Sequence, residues 1–208
     1  MRPLSDMIGR TGTENAFAVG PEIAKLDNAG WDIVRLTIGE PSGDIPELAT
    51  KAALESLRKH ETHYTAAQGE AFLRKAIAEY MTITRQVEYG AQHIILTPGG
   101  KPVIWGTMAC VVNPGDEVLV PSPGYPIFES AVAMIGATPV PIPLLEEKDF
   151  SLDVNELEKL ITPKTKAIIV NSPANPTGGV IPKSDLEKIA ELCVKHDLWV
   201  LSDEAYSR

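Results

Sequence analysis

The chain has 208 residues, 44% hydrophobic and 23% charged, with 28 acidic against 19 basic side chains and a formal net charge of −9. That is long enough to bury a sizeable core, and the acidic balance disfavours nucleic acid or an anionic membrane surface as a partner. The 2 cysteines show neither CxxC nor Cys/His metal spacing, so no disulfide framework and no metal centre is expected.

No apolar run approaches the roughly 20 residues of a membrane span. Met1 to Ile8 lacks the apolar stretch of a signal peptide, so a cytoplasmic location is the expectation. Cys110 and Cys193 fall on the apolar faces of predicted helices and are expected as buried, reduced thiols.

In chain order, Met1 to Thr13 reads as an arm. Asn15 to Ala29 predicts a helix stopped at Gly30, and Ile33 to Leu36 a short strand leading into the turn Gly39-Glu40-Pro41. Pro46 to Lys59 is a second helix. His63-Tyr64-Thr65 follows, and then a helix from Glu70 to Arg85 with Phe72, Ala76, Ile77 and Tyr80 on one face. A strand at His93 to Leu96 runs into Thr97-Pro98-Gly99-Gly100-Lys101, which opens an apolar helix, Pro102 to Val112.

Strand, glycine turn and helix N-terminus together suit a phosphate, because free backbone N–H groups and the positive end of the helix dipole face it. Neither G-x-G-x-x-G nor G-x-x-x-x-G-K-[ST] is present, which argues against dinucleotide and P-loop sites.

Glu117 to Val120 is the next strand, and Ser122-Pro123-Gly124-Tyr125-Pro126 leaves its end ahead of a helix, Ile127 to Ile135. Ala137 to Pro143 reads as a strand whose prolines argue for an edge or an early exit from the sheet. Asp153 or Ser151 can cap a helix through Leu157 and Leu160. Two apolar runs, Ala167 to Val170 and Leu198 to Leu201, read as buried parallel strands around a helix from Pro182 to His196. Strands alternating with helices at short intervals predict an α/β fold with a mostly parallel, doubly wound sheet flanked by helices, residues 48–208. An N-terminal arm and small-lobe segment, 1–47, stands apart from it.

Asn171-Ser172-Pro173-Ala174-Asn175-Pro176-Thr177-Gly178 follows the first of those two strands and Ser202-Asp203-Glu204-Ala205-Tyr206 ends the second, so an amide, an acid and a phenol emerge where open α/β sheets bind ligands. An Asp after a strand is also a common helix cap or turn former, and N-P-T-G alone is a serviceable turn. The ordered pair is the specific signal, and it resembles the class I/II aminotransferases of fold type I, which use pyridoxal 5'-phosphate (PLP). The likeness runs from about Ala16 to Tyr206.

The resemblance assigns roles one residue at a time. Asp203 pairs with the protonated ring nitrogen of PLP, which keeps the ring an electron sink, and Asn175 and Tyr206 reach its phenolic oxygen. Gly99, Gly100 and Lys101 hold the phosphate, and Tyr125 stacks on the ring. Tyr64, in Y-x-x-x-x-G, reaches the phosphate of the other subunit in a homodimer. Gly39 lies near the substrate carboxylate, and Tyr125 and Asn175 also border the substrate. Cis bonds before Pro123 and Pro176 are implied in the same way.

In that family the lysine that holds PLP as a Schiff base lies beyond the D-E-x-Y strand, and no lysine follows Asp203 in this sequence. Lys101 sits at the phosphate end, while Lys183, Lys188 and Lys195 are expected on the solvated face of a helix. The resemblance therefore implies about half of a longer enzyme, inactive alone, whose reaction moves an amino group between an amino acid and a 2-oxo acid. A PLP-dependent lyase or decarboxylase on the same scaffold, and a non-catalytic PLP-binding or dimerising module, are the alternatives.

Overall fold

The structure is a computed structural model and describes residues 2–12 and 18–207. These cluster into two compact units, residues 1–33 with 100–208, and residues 34–99.

The first unit is a five-stranded sheet in the order β3-β2-β1-β4-β5. Its strands are β1 (Glu117–Ser122), β2 (Thr138–Leu145), β3 (Ser151–Leu152), β4 (Thr165–Asn171) and β5 (Trp199–Asp203). All neighbouring pairs are parallel except β2 with the two-residue β3. Successive side chains in β1 and β4 point to opposite faces, and each face is buried. Val118, Val120, Ala167 and Ile169 pack under α4 (Lys101–Val111) and α5 (Pro126–Ile135). Leu119, Ile168 and Val170 pack under α6 (Val154–Leu157) and α7 (Lys183–His196). Helices on both faces are why these strands read as continuous apolar runs rather than as alternating ones.

Local chemistry sets the boundaries. Asp153 caps α6 by accepting the Asn155 N–H at 2.9 Å, whereas Ser151, the other candidate cap, lies in β3. Pro126 opens α5, where an N–H would have no helical acceptor, and Gly136 closes it at φ 88°. Pro139, Pro141 and Pro143 occupy alternate positions of β2, so their missing donors all fall on one side. Among the described residues that side meets only β3, which pairs with Leu144 and Leu145 alone. Lys183, Lys188 and Lys195 are exposed on α7 and pair with Glu187, Asp185 and Glu158.

Four expectations are corrected. Ile33 to Leu36 and His93 to Leu96 form no strand: a strand needs a laddered partner, and neither segment pairs with one among the described residues. Val34 and Leu36 are 81% and 89% exposed, the Leu96 N–H goes to the Gln68 carbonyl, and Ala91–His93 is a 3-10 turn. The first helix, α1, is Gly20–Asn28, and Asn15 to Phe17 of the predicted one lie outside the described residues. β5 is parallel as expected but is an edge strand, with Trp199 62% and Val200 46% exposed, because among the described residues only β4 pairs with it. Cys110 is exposed, since α4 is apolar around most of its circumference and buries only the stripe of Ile104 and Met108.

The last of these gives a direct test. Cys193 is buried, and burial pushes its thiol above the ordinary value of 9.0, so the reactive thiolate is scarce there. Ellman's reagent at neutral pH should label one thiol per native chain quickly, lose that phase in Cys110→Ser, and reach the second only on denaturation.

The second unit holds α2 (Glu47–Arg58) and α3 (Ala71–Arg85). Arg74 joins its loops, donating through Nε to the Gly69 carbonyl at 3.2 Å and through Nη1 to the Ala91 carbonyl at 2.9 Å. Ion pairs one turn apart, Glu47 with Lys51 and Glu55 with Lys59, line α2. None of the described helices is long and apolar enough to cross a membrane.

Candidate active site

The carboxyl ends of β1, β4 and β5 lie side by side. Asn171 and Asp203, the last residues of β4 and β5, are register partners. Ser122, ending β1, and Asn171 each lie three residues beyond the pair Leu119–Ile168. Two helix N-termini also come to this edge. α5 follows β1 directly, through Pro123 to Tyr125. α4 ends at Val111, a short turn before β1 begins, so it runs back along the sheet: its 11 residues cover about 16 Å against about 20 Å for β1. With Ile104 and Met108 in the core beside Val118 and Val120, its start at Gly100 and Lys101 lies toward the carboxyl end of the strands.

That start has the makings of an anion site. Gly99 adopts φ 88°, a conformation a side chain would strain, and an added Cβ on Gly99 or Gly100 would meet no heavy atom within 4 Å. Pro102 carries no N–H and the Val103 N–H donates to the Gly100 carbonyl at 3.0 Å, so what this helix start offers an anion is the open glycine turn and the positive end of the helix dipole.

Tyr125 immediately precedes α5 and is half-buried. Its ring stands edge-on to Phe128 at 5.6 Å and 87°, and Phe128 is buried at 1% exposure, so the core fixes the ring's base. The turn before it requires Gly124, because a Cβ there would lie 2.2 Å from the Pro121 carbonyl oxygen. The bonds before Pro123 and Pro176 are cis, as the resemblance implied, and so is Ser172–Pro173.

The N-P-T-G segment folds back on itself. The Ala174 N–H donates to the Gly179 carbonyl at 2.8 Å, the Gly178 N–H to the Ala174 carbonyl at 2.7 Å, and the Ile181 N–H to Ser172 Oγ at 3.0 Å. Asn171, 5% exposed, joins this loop to β5: its Oδ1 accepts the Asn175 N–H at 2.8 Å, and its Nδ2 donates to the carbonyls of Pro173 and Asp203, each at 3.3 Å. Asp203 in turn accepts the Ala205 N–H through Oδ1 at 3.1 Å, which orients the carboxylate. Tyr206 lies in the following turn, 57% exposed.

Asn175 and Asp203 are thus held together, with Tyr125, Gly100 and Lys101 on elements that reach the same edge and Tyr206 just beyond it. Gly39, Tyr64 and Gly99 belong to the other unit, with Gly99 next in sequence to Gly100. Asn171 is the residue that sequence reasoning passed over. The available signal was a polar amide ending an otherwise apolar buried strand, since a buried amide requires partners.

The family model for aminotransferase class I and II matches residues 32–208. The chain belongs to this family. Among its relatives, the aspartate/prephenate aminotransferase of Thermus thermophilus is 37% identical over 206 residues, 99% of this chain and 54% of that one. The arginine–pyruvate transaminase of Pseudomonas aeruginosa is 38% identical over 178 residues, 86% of this chain and 45% of that one. The structure of the Thermus thermophilus aspartate aminotransferase with maleate superposes with a TM-score of 0.93 at 37% identity, covering 98% of this chain and 53% of that one. The chain spans about half the length of the curated relatives it matches.

Aminotransferases of this class depend on PLP. The groups at the sheet edge fit PLP: an open glycine turn at a helix N-terminus for a phosphate, an oriented carboxylate to accept from a cationic ring nitrogen, and Asn175 beside it, held through its backbone N–H.

Proposed function

We propose that the protein supplies the PLP-binding portion of an aminotransferase that moves an amino group between an amino acid and a 2-oxo acid. The observation that carries the proposal is the joined pair Asn175 and Asp203 at adjacent strand ends, in a chain of this family. Relatives at 37% and 38% identity are named for different amino acids, aspartate and arginine, so amino-group transfer is what they have in common.

PLP, when bound, supplies an electron-withdrawing ring. The roles of this chain's residues follow from their chemistry. Gly99, Gly100 and Lys101 bind the phosphate. Asp203 keeps a proton on the ring nitrogen, Asn175 and Tyr206 donate to the phenolic oxygen, and Tyr125 limits the tilt of the ring. Gly39, with Tyr125 and Asn175, borders the substrate. Division into an arm and small-lobe segment, 1–47, and a PLP-binding domain, 48–208, is part of the reading.

So is a homodimer. Tyr64 is fully exposed on its loop, which supports a role toward a neighbouring subunit's phosphate group. A cytoplasmic location completes the reading, supported by two free cysteines.

Titration with PLP, read by fluorescence of the half-buried Trp105 on α4, tests this. Saturable binding is expected, competed by inorganic phosphate and weakened about tenfold or more in Asp203→Ala, a loss of roughly 1.4 kcal/mol. Borohydride reduction should leave no single lysine of this chain stoichiometrically modified. Binding that does not saturate, or is the same in Asp203→Ala, would count against the proposal.

A further inference from the structure

We propose that Asn171 is the positioning residue of this site: its buried amide registers Asn175 against Asp203, so that the two present themselves as one rigid pair. The effect on PLP rests on the function proposed above; the tether itself does not.

Among the described residues β5 is an edge strand, with β4 as its only neighbour in the sheet. Asn175 stands four residues past the end of β4, in a loop whose own closing bonds, Ala174 to Gly179 and Gly178 to Ala174, set its internal shape but not its distance from β5. The Asn171 side chain supplies that link. One oxygen accepts from the Asn175 backbone, and one nitrogen donates to the Pro173 and Asp203 carbonyls.

The geometry explains why the residue is an amide. The position needs an acceptor and two donor hydrogens on one short side chain, in a site from which water is excluded. Aspartate has the size and the acceptor but neither donor, and would set a negative charge against the Asp203 carbonyl. Glutamine has the same groups on a longer stem, which moves the amide out of register. Alanine removes all three bonds. In each case Asn175 and Asp203 keep their own chemistry and lose their mutual spacing.

Two measurements decide it. The first needs no ligand: amide hydrogen exchange at Asn175 in the native chain should be slower than in Asn171→Ala by roughly 100-fold, the margin expected when a buried bond closes an otherwise open loop. Exchange at Asn175 that is already fast in the unsubstituted chain, or unchanged by the substitution, overturns the proposal. If Asn171→Ala does not fold, Asn171→Gln carries the same comparison.

The second uses PLP. Asn171→Asp and Asn171→Gln should each weaken binding about tenfold or more and shift the pH midpoint of the bound chromophore's absorbance, because the groups facing its ring have moved. A residue that serves stability alone would lower the melting temperature and leave both readings where they were. Equal affinity and an equal midpoint in the variants overturn the proposal. If the unsubstituted chain does not bind PLP while Asn175 stays protected, the function proposed above fails and the tether stands.

Discussion

Asp203→Ala, made in a protein of the relatives' full length, is expected to lower kcat/KM for amino-group transfer by about 10²–10³-fold with the fold retained, the usual loss on deleting one preorganised charged partner. The carboxylate ends β5 and is aimed by its bond from the Ala205 N–H. Its proposed work is to hold a proton on the ring nitrogen of PLP, and an alanine cannot do that. Asp203→Asn separates charge from shape: it keeps the acceptor for Ala205 and loses the negative charge, so it should lose rate nearly as far. Steady-state kinetics on both variants, with circular dichroism to confirm folding, makes the comparison. Near-normal turnover in either would remove the charge at position 203 from the mechanism.

The largest stability loss is expected from Phe128→Ala. Phe128 is 1% exposed in the cluster formed by α4, α5, β1 and β4, and its removal should cost about 3–5 kcal/mol. For a domain stabilised by about 5–15 kcal/mol, that lowers the melting temperature by on the order of 10 °C. The same substitution deletes the ring against which Tyr125 stands, so PLP affinity should fall even below the new melting temperature. Val34→Ala is the control. Its side chain is 81% exposed, and the change should stay within about 0.5 kcal/mol. A melting temperature for Phe128→Ala close to that of Val34→Ala would mean that this cluster does not carry the fold.

Both predictions concern residues that differ in how far the amino-acid order revealed them. Asp203 was visible because its motif follows an apolar β-branched run, and such a run places the next polar residue at a strand end. Phe128 read only as part of an apolar helix. Its place beneath Tyr125 depends on a contact between a helix and the residue before it, which periodicity does not describe.

The misread strands share one cause. Ile33 to Leu36 and His93 to Leu96 have strand-like composition, but β-structure is a property of paired strands, and neither segment joins a ladder among the described residues. For the same reason β5 was expected to be buried and is an edge: its apolar residues signal a strand, while the number of its neighbours is set elsewhere.

What the linear order determined by itself was local. Helices α2, α3, α4, α5 and α7 follow from periodicity, turns and prolines. The glycine turn before α4 follows from residue type, and the strand–helix–strand unit that carries Asn175 and Asp203 follows from spacing. What only the tertiary structure decided was who stands beside whom: the sheet order, the exposure of Cys110 and β5, and the use of Asn171 as a bridge between the Asn175 loop and the end of β5. Backbone preference and side-chain period act over a few residues. Burial and cross-strand hydrogen bonds depend on segments tens of residues apart, and they exist only once the chain has brought those segments together.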